Sequence, residues 1–85
     1  MPEYVVVLTK RAEKQLNQFA DHIAEPIIEA IEELQNDPRP AGCKKLKGRE
    51  GYRIRARNYR VIYEIQDVKL LIDVIAIGHR KDIYD

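Results

Sequence analysis

Cysteine is almost absent: Cys43 is the single thiol in 85 residues. One thiol closes no disulfide within the chain and cannot anchor a four-ligand zinc site, so a disulfide scaffold is excluded and Cys43 reads as an incidental thiol. Long apolar runs are missing as well. The opening MPEYVVVLTKR holds four or five apolar residues in a row, too few for the core of a secretory signal and far too few to span a membrane. The expectation is a cytoplasmic chain without membrane association. Net charge is also scarce: 15 Lys and Arg against 14 Asp and Glu leave +1. No repeat, linker or low-complexity stretch divides the chain, so residues 1–85 are expected to form one small domain.

The near-neutral total conceals a segregation. Residues 39–60 (RPAGCKKLKGREGYRIRARNYR) carry nine Lys or Arg and one acid, Glu50, whereas residues 21–37 carry six acids and no Lys or Arg. Positive charge concentrated this way suits a polyanion, above all a phosphate backbone.

Periodicity supplies the architecture. The β-branched run Tyr4–Leu8 predicts a strand, and Thr9 a helix N-cap. Ala12, Leu16, Phe19, Ala20 and Ile23 then recur at helical spacing, with Lys10, Arg11, Lys14, Gln15 and Gln18 facing away. A second helix is predicted from about Ile23 to Asn36, with Ile27, Ile28, Ile31 and Leu34 as its stripe. Its start is placed near Ala24 because Pro26 suits a first turn, and its end before Pro38. A basic loop, 38–50, follows. The period then changes to two: in Gly51–Arg57 (GYRIRAR) Tyr52, Ile54 and Ala56 face one way and Arg53, Arg55 and Arg57 the other. After a connector at Asn58 come strands Tyr59–Ile65 and Leu70–Gly78, the latter apolar enough to be central, joined by a turn at 66–69. The predicted fold is α+β, a two-layer β-α-α-β-β-β domain. An N-terminal αα-hairpin covers one face of a mainly antiparallel sheet.

The open face of such a sheet would gather Arg53, Arg55, Arg57 and Arg60, with His79, Arg80 and Tyr84 just past the last strand. Guanidinium groups grip phosphate in bidentate fashion, and an aromatic ring stacks on an unpaired base. The same parts serve metal-free RNA cleavage, in which a ribose 2′-hydroxyl attacks its own 3′-phosphate. That reaction needs a base, cations for the developing charge and an acid for the leaving oxygen. The alternation fits a solvated polar face too. Asp73, inside an apolar strand, is expected to pair with an arginine of this face.

Four segments in order, KKLKG (Lys44–Gly48), YRIR (Tyr52–Arg55), YRVIYEI (Tyr59–Ile65) and GHRKDIY (Gly78–Tyr84), resemble the RelE/ParE toxin superfamily, most of all its RelE branch. The resemblance spans essentially the whole chain. It implies a toxin of a type II toxin–antitoxin system, a ribosome-dependent mRNA endonuclease acting on A-site codons by 2′-hydroxyl attack, with no metal and no other cofactor. The implied partners are a cognate antitoxin encoded nearby, forming a hetero-oligomer, and the ribosome with its mRNA. By matching position, Arg53 and Arg55 stand where the branch carries lysines, Arg60 clamps phosphate, Arg80 stabilises the transition state or acts as acid, and Tyr84 stacks on a base. Lys44, Lys45, Lys47 and Arg57 would contact RNA. Arginine, with a reference pKa above about 12, is a poor base, so proton abstraction is expected to fall to His79. The alternatives are the ParE branch, which shares the fold but poisons DNA gyrase, and a catalytically degenerate RNA-binding module.

Overall fold

The computed structural model describes residues 3–79. In chain order the elements are β1 (Val5–Leu8), α1 (Lys10–Asn17), α2 (Asp21–Glu33), β2 (Lys44–Lys45), β3 (Tyr52–Ala56), β4 (Tyr59–Gln66) and β5 (Leu71–His79). The sheet order is β1-β5-β4-β3-β2. β1 runs parallel to β5, and every other pairing is antiparallel. The α+β arrangement agrees with the sequence reading, with β2 as an added two-residue edge.

Thr9 caps α1 as expected: its Oγ1 accepts from the Ala12 N–H at 3.1 Å. The same hydroxyl donates to the Ile75 carbonyl at 2.9 Å. This second bond meets a need created by β1, which pairs with β5 only over Leu71–Val74. Beyond Val74 the edge of β5 would lose its partners, and buried backbone groups require them. α1 supplies them. Beside the Thr9 bond, the Ile77 N–H donates to the Gln15 side-chain carbonyl at 2.6 Å. Gln15, assigned from the sequence to the outward face, is therefore part of the helix–sheet joint.

α2 begins at Asp21, not near Ala24, and Pro26 lies inside it. Pro26 stands in the second turn and removes one intrahelical bond, the one its N–H would have made to residue 22. The helix gains a turn in exchange, and Ala24, Ile27 and Ile31 become buried. Its end tightens through i→i−3 bonds from the N–H groups of Leu34, Gln35 and Asn36.

The two sheet faces separate cleanly. Ala12, Ile27, Ile31 and Leu34 from the helical layer pack on Ile54, Ala56, Val61, Tyr63, Ile72, Val74 and Ile77. Each fully buried large apolar side chain among them is worth roughly 1.5–3 kcal/mol. The opposite face carries a smaller cluster, Leu46, Ile62 and Ala76, flanked by Ile75. Gly51 is needed where the chain turns into β3. Its φ is +116°, and a Cβ there would lie 2.9 Å from the Tyr63 carbonyl oxygen.

Candidate nucleic-acid interface

The β3–β4 register sets Arg55 directly opposite Arg60, and Arg53 opposite Ile62. Across the other edge of β3, Lys44 pairs with Arg53. Ile62 belongs to the small cluster on the side away from the helices. Strand parity therefore sends Arg53, Arg55 and Arg60 to the open face, as the alternation predicted. Like charges directly opposite in a ladder repel, and here the repulsion concentrates positive potential at one end of the face. Arg55 is exposed and Arg60 half-buried.

Two members of the expected arginine row behave differently. Arg53 is only 8% exposed. It adds charge from beneath the surface and does not present its whole fork to solvent. Arg57 is not on the strand: β3 ends at Ala56, and Arg57 occupies the hairpin turn with φ 59°, a left-handed conformation. Beside β3, Lys44, Lys45 and Lys47 are exposed while Leu46, 4% exposed, anchors the segment beneath them. The Leu46 N–H donates to the Gly51 carbonyl at 3.0 Å, closing the turn that carries Lys47. A groove of about 480 Å³ beside the edge of β3 is lined by Ala30 and Glu33 of α2, by Pro40, and by Lys44, Arg53 and Arg55.

His79 corrects the sequence reading. It pairs with Tyr59, and its ring meets the Tyr59 ring edge-on at 5.4 Å. Tyr59 in turn packs on Phe19 of the helical layer, at 5.0 Å. His79 therefore sits on the helix-covered side, across the sheet from Arg55 and Arg60. The cause is a bulge. Ile62 pairs with Ala76 but Tyr63 with Val74, so β5 carries one extra residue. One extra residue inverts the parity of everything beyond it. Ile72 and Val74 face the helices before the bulge, and Ile77 and His79 after it. Arg80 and Tyr84 lie outside the described residues. Asp73 also differs from expectation: its carboxylate accepts from the Gln66 amide at 2.7 Å.

Sequence reasoning missed one cluster altogether. Arg39 donates to both carboxylate oxygens of Asp67, at 3.0 and 3.4 Å, and through Nε to the Tyr52 hydroxyl at 3.1 Å. The Tyr4 hydroxyl donates to Asp67 at 2.8 Å. The bonds from Arg39, then Tyr4, hold the Asp67 carboxyl below its ordinary range, and the Asp67 bond pushes the Tyr4 phenol up. Burial likewise pushes up the Tyr63 hydroxyl, which donates to the Pro38 carbonyl at 2.7 Å. The one sequence cue was an arginine held between Pro38 and Pro40. Its partner, in a distant turn, gave none.

Among the described residues no three His, Cys, Asp or Glu side chains cluster so as to hold a metal ion, and no helix is long and apolar enough to cross a membrane.

Residues 6–84 match the family described as the ParE toxin of type II toxin–antitoxin systems, parDE. The chain belongs to that family, within the RelE/ParE superfamily, and its structural likeness is to RelE-type toxins. One such structure is the RelB–RelE antitoxin–toxin complex of Methanococcus jannaschii, 34% identical. The match covers 93% of this chain and 95% of that one, with a TM-score of 0.72. The intact RelBE complex of E. coli is 29% identical over 89% and 95% of the two chains, with a TM-score of 0.78. The RelBE2 toxin–antitoxin complex of Mycobacterium tuberculosis shares the fold, with a TM-score of 0.81 and 24% identity over 94% and 100%. No curated protein sequence matches the chain.

Proposed function

We propose that this type II toxin is a ribosome-dependent mRNA endonuclease that acts in the cytoplasm on codons in the A site. The observation that carries the reading is the Arg55–Arg60 cross-strand pair, bordered by Lys44 and Arg53 on the same side of the sheet. Two guanidinium forks side by side offer bidentate bonds to one phosphate or to two neighbouring ones. Their charge would stabilise the phosphorane-like transition state of 2′-hydroxyl attack. Guanidinium groups supply cations and no base. With His79 across the sheet, the 2′-hydroxyl proton passes to solvent water and the departing 5′-oxygen takes one up from solvent, while the arginines orient the 2′-hydroxyl and stabilise the developing charge. Arg80 and Tyr84 keep their proposed roles as transition-state cation and base-stacking ring, and Lys45, Lys47 and Arg57 as contacts to RNA.

The relatives solved as toxin–antitoxin complexes support an antitoxin partner in a hetero-oligomer. Edge strand β1 suits it: Val5 and Val7 are 62% and 41% exposed, and no charge interrupts VVVL. Val7→Lys should weaken antitoxin binding by about tenfold, or roughly 1.4 kcal/mol.

The ParE family match favours a second reading, a gyrase poison, with a degenerate RNA-binding module as its relative. Primer extension on a defined mRNA in a purified translation system decides. Cuts within A-site codons, absent on naked RNA, support the nuclease. Intact mRNA together with inhibited gyrase supercoiling supports the alternative.

A further inference from the structure

Arg39 belongs by sequence to the basic segment, yet its side chain is turned away from the open face and engaged with Asp67 and Tyr52. Its guanidinium also lies over the Tyr52 ring, 5.2 Å from the centroid. These bonds join three separate pieces of chain. Asp67 sits in the β4–β5 turn, which is closed by a bond from the Leu70 N–H to the Asp67 carbonyl at 3.2 Å. Tyr52 opens β3 and pairs with Lys45. Arg39 lies in the loop that leads directly into β2. That loop is pinned at its start by the Tyr63 hydroxyl on Pro38 and folded at its end by the Cys43 N–H on the Pro40 carbonyl at 3.0 Å.

β2 has little to hold it by itself. It is two residues long, pairs only with Arg53 and Tyr52, and carries two exposed lysines. A two-residue strand cannot fix its own place, and Lys44 stands directly across from another cation, Arg53. A rigid approach on the N-terminal side removes that freedom. We propose that the Arg39–Asp67 clasp is a positioning device: it holds the 38–43 loop so that Lys44, paired with Arg53 on the open face, stands beside Arg53 and Arg55 as one phosphate-binding edge. This rests on the nucleic-acid reading above. Arg39 and Asp67 touch no RNA; they act through β2.

The sign of one substitution separates this from simple electrostatics. If Asp67 were only an acid near a basic surface, Asp67→Asn would tighten binding to a polyanion. If Arg39 were only a cation, Arg39→Lys would behave as wild type. The clasp requires both changes to weaken binding. The experiment measures binding of the full chain to mRNA-programmed ribosomes across a salt series, with amide hydrogen exchange of residues 43–46 on the free protein. Asp67→Asn, Arg39→Gln and Arg39→Lys should each accelerate exchange at Lys44 and Lys45. Each should lower the slope of log affinity against log salt by about 0.7–0.9 as Lys44 is withdrawn from a phosphate. The double variant should be no worse than either single one, because both remove the same link.

Unchanged exchange in Asp67→Asn overturns the clasp, as does tighter ribosome binding by that variant. Faster exchange with an unchanged salt slope reduces Arg39 to a stabilising contact and also overturns the proposal. Wild-type protein that binds no ribosomes refutes the nucleic-acid reading, and with it the role given to Lys44, while the exchange data still report whether the clasp orders the loop.

Discussion

Two like-charged pairs stand on the same face of the sheet, at opposite ends of β4. At one end Arg55 faces Arg60; at the other Glu64 faces Asp73. Ile62, Ala76 and Leu46 lie between them. The acidic pair is moderated from within, because the Gln66 amide donates to Asp73. The basic pair is reinforced by Lys44 and Arg53. Cross-strand repulsion costs a few tenths of a kcal/mol or more at either end. At the acidic end Gln66 moderates it; at the basic end Lys44 and Arg53 add further positive charge beside it. Such a layout draws an anionic ligand toward the basic end and away from the acidic one.

The largest expected effect comes from abolishing the difference. Arg55→Glu converts the basic pair into an opposite-charge pair with Arg60. Thermal unfolding should show a gain of about 0.2–1 kcal/mol, while A-site cleavage falls by about 100-fold or more. Stability and activity should move in opposite directions, and a parallel loss of both would count against the reading. Gly51→Ala attacks the support common to both ends, through the contact with the Tyr63 carbonyl and the left-handed φ. It should cost about 1–3 kcal/mol in denaturant titration.

Acid should undo the Asp67 contacts. Because the folded-state carboxyl is held below its ordinary 3.8, its contribution is complete above that value and is lost as pH falls through the folded pKa. Amide exchange of residues 43–46, corrected for intrinsic rates, should be flat from pH 7 to about 5 and rise only in stronger acid. Asp73→Asn keeps an acceptor for Gln66 and removes one negative charge from the far end; ribosome affinity should rise by about twofold at low salt, and less at high salt. The smallest effect is expected at His79. Across the sheet from the arginines, His79→Ala should leave cleavage within about twofold at every pH assayed. A 100-fold loss would return the imidazole to the chemistry.

Much of this was legible in the amino-acid pattern. The alternation of Tyr52–Ala56 and Tyr59–Ile65 placed Arg55 and Arg60 on one face because a period of two needs no tertiary information. Thr9 announced the cap of α1. The rest depended on events that leave no local trace. A bulge in β5 reversed the side on which His79 falls. Pro26 was absorbed in the second turn of α2 because burying Ala24, Ile27 and Ile31 outweighs one missing helical bond. Gln15 turned inward because β1 stops short of Ile75 and leaves backbone groups to be met. Arg39 left the basic patch for an aspartate 28 residues away in sequence, a pairing that only the folded chain defines.

The most direct test of the central claim is primer-extension mapping of ribosome-bound mRNA with wild-type protein and Arg60→Gln, with cosedimentation on ribosomes in parallel. The account predicts A-site cuts by the wild type, a loss of about 100-fold or more in the variant, and ribosome binding retained by both. Cleavage by Arg60→Gln at the wild-type rate, or intact mRNA with folded wild-type protein bound to ribosomes, would contradict it.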